Sequence, residues 1–148
     1  YLAPQVAKRD KRVATVSMIG GGTRGWLKEE YNTAGPSEKK EYLYKIKDIY
    51  RNPRSLEKWN GFSYATWYSY RGDNTLQALR NLKRPTLAIL GARDRVIDLR
   101  STIVDMVLIS EKQPVHIHVF GDCGHYFSKH WSQVELVLGR FLTDNVLS

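Results

Sequence analysis

The sequence predicts an α/β fold in which helices pack against a mostly parallel sheet. Three observations carry that expectation. First, Pro85 stops a helical pattern and is followed by Thr86-Leu87-Ala88-Ile89-Leu90-Gly91. A short apolar run between Pro and Gly is the pattern of a strand buried on both faces. Second, after residue 73 the periodicities run helix, strand, helix, strand, helix, the alternation that builds parallel sheets with right-handed crossovers. Third, Val13-Ala14-Thr15-Val16-Ser17-Met18-Ile19 is a β-rich run halted by Gly20-Gly21-Gly22, a first buried strand.

Bulk properties narrow the classes. The 148 residues are 42% hydrophobic and 26% charged, the composition of one globular domain with a sizeable core. No window approaches the roughly 18 apolar residues of a membrane span. The single Cys123 excludes an internal disulfide and a Cys-based zinc site, and it fits a reducing compartment, so a cytoplasmic setting is expected. The net charge of +8 would suit nucleic acid, but its lysines and arginines are interleaved with acids and no nucleic-acid motif surrounds them. Solvated faces are the expectation. Tyr1-Leu2-Ala3-Pro4 has neither an initiator Met nor a secretory pattern, and reads as mid-chain.

In order, residues 1–12 read as the tail of a helix, with Leu2 and Val6 on one face, followed by a basic loop. A helical turn is expected around Trp26–Glu30. Ser37 is expected to cap a helix with Leu43, Ile46, Ile49 and Tyr50 on one face, ended by Asn52-Pro53. Ser55 is expected to cap a shorter helix containing Leu56 and Trp59, closed by Asn60-Gly61. Phe62 to Tyr70 fits a helix or a strand. Asp73 can cap a helix carrying Leu76, Leu79 and Leu82. Ser101 can cap another, with Ile103, Met106, Val107 and Ile109 inward, broken by Gln113-Pro114. Val115 to Phe120 alternates with period two, as in a half-buried strand. The last helix, about Trp131 to Leu142, places Val134, Val137, Leu138, Phe141 and Leu142 on one side.

Chemistry concentrates at two strand ends. Asp94 follows the strand that closes at Gly91, and the carboxyl ends of strands are where α/β sheets place their sites. His125 is delivered at the tip of Gly121-Asp122-Cys123-Gly124-His125, a turn that the two glycines ease. An acid and a histidine on neighbouring parallel strand ends can meet. The carboxylate then accepts one ring N–H and leaves the other nitrogen as a general base.

These residues carry a family resemblance. Leu82 to Ile97, followed by Gly124-His125 and an amphipathic last helix, resembles the C-terminal half of the α/β-hydrolase superfamily. The resemblance implies that the Gly91 to Asp94 turn carries the acid of a Ser-Asp-His triad, and Gly124-His125 its histidine. Residues 1–22 would then be the end of a helix plus a core strand, 23–73 a helical cap or lid, and 74–148 the C-terminal part of the core. The sheet would be a partial one. The family's Gly-x-Ser-x-Gly elbow is absent; Ser17-Met18-Ile19-Gly20-Gly21 lacks the small residues that the strained turn needs. The nucleophile and oxyanion hole are therefore expected outside this chain, from an N-terminal half that is either an upstream segment or a separate polypeptide. The implied activity is hydrolysis of a small acyl substrate, an ester or amide, with no cofactor. The chain alone is expected to be inert, and an edge strand at Val13–Ile19 would be open to pairing, with that half or in an oligomer. A non-catalytic binding module and an acyltransferase are the alternative readings.

Other candidates have duller accounts. His116 and His118 share a strand face at a metal-compatible spacing, but no third ligand presents itself. Cys123 reads as a small buried residue, Asp98 as an alternative acid, and Asp122 as loop polarity near His125. The aromatics of 26–70 are expected to hold the cap together, with Trp26, Trp59 and Trp67 as candidates to line a substrate pocket.

Overall fold

The computed structural model describes residues 2–72 and 75–147. Three parallel strands form the sheet: β1 (Val16–Ile19), β4 (Thr86–Gly91) and β5 (Val115–Phe120), in the order β1-β4-β5. β4 is central, and all six of its residues are buried. Its pleat explains the two-sided core. Ala88 and Leu90 point into one apolar cluster with Ala7, Met18, Leu79, Met106 and Ile109. Leu87 and Ile89 point into the other, with Phe127, Val134 and Phe141. The first face is covered by α1 (Leu2–Arg9), α5 (Thr75–Leu82) and α6 (Leu99–Ser110), the second by α7 (Trp131–Leu142). Alternate residues of a strand face opposite ways, so a strand apolar throughout needs helices on both sides.

β1 is shorter than the run from Val13 suggests, because Arg84 takes the preceding backbone away from the ladder. Its guanidinium donates to the carbonyls of Ala7 (3.4 Å), Asp10 (3.1 Å), Lys11 (3.2 Å) and Val13. It thereby caps the C-terminal end of α1, where carbonyls lack intrahelical partners. Pairing starts at Val16, whose N–H donates to Pro85 O. Gln113 is a second buried tie: its side chain accepts from Lys83 N and donates to Thr86 Oγ1.

Between β1 and α5 the chain makes a helical excursion with its own core of Leu27, Ile49, Trp59, Tyr64 and Trp67. It contains α2 (Trp26–Thr33), α3 (Lys39–Arg51), a hairpin of β2 (Lys58–Trp59) and β3 (Phe62–Ser63), and α4 (Tyr64–Ser69). Several expectations are corrected here. No helix runs through Leu56 and Trp59. Asn60 (φ 45°) and Gly61 (φ 84°) are both left-handed, as a two-residue hairpin turn of primed type requires, and Leu56 is exposed. Ser55 instead accepts from Glu57 N. α3 begins at Lys39 without a side-chain cap, so Ser37 does not cap it, and Leu43 and Tyr50 face solvent. The stretch from Phe62 divides: two residues pair as β3, then Ser63 caps α4 by accepting from Thr66 N at 3.1 Å.

In the C-terminal half, α6 is capped by Asp98 rather than Ser101; the Asp98 carboxylate accepts from Ser101 N and Ser101 Oγ. Val107 is exposed, whereas Asp105 is buried. Leu142, at the end of α7, is also partly exposed. The proposed cap residue Asp73 lies outside the described residues. Among the described residues no helix is long and apolar enough to cross a membrane.

Candidate active site at the carboxyl edge of the sheet

The β4–β5 ladder runs to Gly91↔Phe120 and continues into the loops beyond. Ala92 N donates to Phe120 O (2.9 Å) and Arg93 N to Cys123 O (2.8 Å). The two loops are thus stitched by backbone, and Gly91 is what lets them approach. A Cβ there would lie 2.5 Å from Cys123 O and 2.7 Å from Gly124 O, distances no side chain tolerates.

Asp94 closes a tight turn, its N–H donating to Gly91 O. One carboxylate oxygen, Oδ1, accepts the N–H groups of Val96 (2.7 Å) and Ile97 (3.2 Å). The other, Oδ2, lies 2.9 Å from His125 Nδ1. The Asp94 side chain is shielded from solvent, while that of His125 keeps 27% of its exposure. An ionised carboxylate only accepts, so the pair puts the proton on Nδ1 and the lone pair on Nε2. Among the described residues Nε2 has no hydrogen-bond partner. The edge of the ring between its two nitrogens rests near Gly20 (φ 61°), just past the end of β1, where a Cβ would come 3.5 Å from His125 Cε1 and 3.2 Å from His125 O.

His125 opens onto a cavity of about 460 Å³ between the sheet edge and the excursion. Trp26 and Phe62 line it from the excursion side, Ile97 and Gly20 from the sheet side. Trp26 therefore reaches the cavity. Trp59 and Trp67 do not: both are buried in the excursion's own core, and the Trp67 indole N–H donates to Trp59 O at 2.8 Å. A second cleft, of about 520 Å³, lies on the opposite face of α2, against Lys28, Tyr31 and Leu76, and does not reach His125.

The remaining candidates lie elsewhere. Ser17 sits inside β1 opposite Leu87, about 10 Å along the strand from Gly20 at the usual rise per residue. Asp98 faces α6, not His125; burial would raise its pKa, but the Ser101 hydroxyl and amide, Arg24 and Asn32 outweigh that and hold it below the ordinary value. Asp122 pairs with His130 (2.9 Å), with its carboxyl held low, chiefly by a backbone hydrogen bond of its own loop. Cys123 is buried, donates to Gly124 O, and burial pushes its thiol pKa up. His116 stacks edge-on with Phe141, and His118 with Phe120. No group of three or more metal-ligating side chains occurs among the described residues.

Sequence reasoning missed the polar joint beneath the cavity. Arg24 donates to Asp105 through Nε (2.9 Å) and Nη2 (3.3 Å), and Thr23 Oγ1 adds a 2.7 Å bond. Glu29, almost fully buried, accepts from Arg24 N (3.2 Å) and Asp98 N (2.6 Å). Its pKa is raised, burial outweighing the two amides. The available signal was the pattern Thr-Arg-x-x-x-x-Glu at the mouth of a helix, which reads equally as surface charge.

The same arrangement of sheet and helices occurs in solved hydrolases. An esterase of Pyrococcus furiosus superposes with a TM-score of 0.65 at 16% identity, over 97% of this chain and 49% of the esterase. The acylaminoacyl peptidase of Pyrococcus horikoshii gives 0.66 at 16% identity, over 100% of this chain and 22% of the peptidase. A meta-cleavage product hydrolase of Pseudomonas fluorescens gives 0.56 at 20%, over 97% and 61%. No family's sequence profile and no curated protein matches the chain. The fold is therefore of α/β-hydrolase type, with three parallel strands of its sheet present. The chain spans about half the length of the esterase it resembles.

Proposed function

We propose that this chain supplies the acid and the histidine of a Ser-Asp-His acyl hydrolase whose nucleophile and oxyanion donors lie outside its 148 residues. The observation that carries the reading is the 2.9 Å contact of Asp94 Oδ2 with His125 Nδ1. It stands at the carboxyl edge of the sheet, with the second carboxylate oxygen already held by two amides. Supporting it, β1 pairs on one side only among the described residues, leaving a ladder edge on which an N-terminal half would add its next strand. Residues 23–73 act as the cap, and the cavity under Trp26 and Phe62 receives a small acyl substrate.

In turnover His125 Nε2 takes the proton of the incoming hydroxyl nucleophile as it attacks the carbonyl carbon, and Asp94 stabilises the imidazolium. The proton then passes to the leaving alcohol or amine. Water repeats the sequence to release the acid. The β1 edge is also where the half-protein would meet its complement, or a second copy of itself where the complement is missing.

A fluorophosphonate probe tests this. The 148-residue chain alone should not be labelled, nor hydrolyse p-nitrophenyl acetate. Joined or mixed with the N-terminal half, it should do both. His125→Ala should then abolish turnover and Ser17→Ala should leave it intact. Esterase activity from the chain alone, lost in Ser17→Ala, overturns the reading, and turnover only with an acceptor other than water reassigns it to acyl transfer.

A further inference from the structure

Helix α2 does more than form a wall of the cavity. After Asp94 the chain presents three amides in succession. Those of Val96 and Ile97 are taken by Asp94 Oδ1, and that of Asp98 by Glu29 Oε2 at 2.6 Å. The third acceptor thus comes from the excursion. Two more contacts hold the same joint: Asn32 Nδ2 donates to Asp98 Oδ2 (3.2 Å), and Arg24 reaches Asp105 of α6. Glu29 keeps only 2% of its exposure and lines the cavity that His125 opens onto. A carboxylate is costly to bury at this depth when a solvated position lies one residue away, at the partly exposed Glu30. A side chain retained here accepts two amides from different parts of the chain, which an apolar residue could not do.

We propose that Glu29 is a positioning residue for the Asp94–His125 pair: by accepting the Asp98 amide, it clamps the 94–98 turn only when the excursion is docked on the sheet. Docking over substrate and assembly of the acid–base pair are then one event. If the clamp opens, the Asp98 N–H loses its protein acceptor, the turn loosens, and Asp94 Oδ1 loses the amides that aim its partner oxygen at His125. The groups facing Glu29 are Arg24 from the loop before α2 and Asp98 from the head of α6, while Glu30 on its own helix and His125 line the same cavity. This inference rests on the reading of Asp94 and His125 as an acid–base pair but not on where the nucleophile comes from.

The test reads the pair directly, by the hydrogen-bonded Nδ1–H proton resonance of His125 and amide exchange in the ¹⁵N-labelled 148-residue chain. In the unmutated protein the Asp98 amide should be protected together with those of Val96 and Ile97. Glu29→Gln keeps the size but turns a donor toward one of the two amides; it should broaden or erase the Nδ1–H resonance, while Lys28→Ala, on the exposed face of α2 that lines the other cleft, should leave it. In the assembled hydrolase Glu29→Gln should lower kcat about tenfold with KM little changed, the loss of one well-placed hydrogen bond. An Asp98 amide that exchanges as freely as that of Arg95 overturns the clamp in wild-type protein, without any variant having to fold. So does a Glu29→Gln chain with an unaltered resonance and kcat. An assembled protein that turns over no ester while the resonance responds to Glu29→Gln overturns the hydrolase reading and supports the clamp.

Discussion

The sheet edge and the helical excursion are built on opposite principles. At the edge, backbone does the positioning: a parallel ladder, a glycine that admits a neighbouring carbonyl, and three amides that fix one turn. In the excursion, side chains do it. Trp26, Trp59, Phe62 and Trp67 contact one another at ring-centroid separations of 5.3 to 5.5 Å, and the secondary structure around them is short. Backbone-held geometry at the edge tolerates little displacement, whereas an aromatic cluster adjusts by small ring movements. The difference matches the roles proposed for each, a rigid acid–base pair under a deformable wall.

The comparison can be broken from either side. The largest effect is expected from Trp67→Ala, which removes a fully buried ring and its bond to Trp59 O. It should cost about 3–5 kcal/mol, yet leave the β4 amides protected, because they draw on different clusters. Loss of protection in both regions together, followed by hydrogen exchange, would show one cooperative unit instead.

Next comes Gly91→Ala, whose Cβ would meet backbone at 2.5 Å. Relief requires moving the 123–124 segment, at about 1–3 kcal/mol, and the His125 Nδ1–H resonance should vanish with it. Gly61→Ala is the counterpart in the excursion. Nothing lies within 4 Å of its Cβ, so only the left-handed φ of 84° resists, at about 1 kcal/mol. The Asp94–His125 pair should not register it. Denaturant unfolding of the two variants, compared with the resonance, separates steric from conformational cost.

A smaller effect is expected from pH. Glu29 is raised by burial above the ordinary 4.5, so the folded state keeps its proton where the unfolded chain has released it. Its contribution to stability is fully present below that ordinary value and is lost as pH rises through the folded one. Asp98, held low by Ser101 against its burial, works the other way: its contribution is present above 3.8 and is lost as pH falls through its folded value. Glu29→Gln should therefore flatten the upper part of the stability profile and leave the lower limb, as urea midpoints across pH would show.

The smallest effect should come from Tyr64→Phe. The ring is buried, but its hydroxyl reaches Asp48, Glu57 and Lys45 at 2.9 to 3.1 Å on a charged rim. About 1 kcal/mol, decreasing with added salt, is expected from thermal unfolding.

Much of the sheet was legible because its signals are local and redundant. The run from Thr86 to Gly91 is apolar and bounded, Val115 to Phe120 alternates, and α7 shows its periodicity in full. Asp94 and His125 were legible for a related reason: each follows a strand by a turn of few residues, and parallel pairing brings neighbouring strand ends together. The excursion was read less well. Asn60-Gly61 is a hairpin signal, but Leu56 and Trp59 before it mimic a helical face, and only packing of the four aromatics decides between them.

By itself, then, the sequence determined the α/β class, the central strand, the last helix and which acid and histidine the two strand ends bring into contact. All of these depend on patterns spanning a few residues. Tertiary structure alone decided that Arg84 ends β1's ladder early, that Trp26 and not Trp59 or Trp67 meets the cavity, and that Glu29 is buried against the Asp94 turn. Each of those joins residues more than 30 positions apart. Whether a charge is solvated or clamped depends on what the rest of the chain brings to it, which no local pattern encodes.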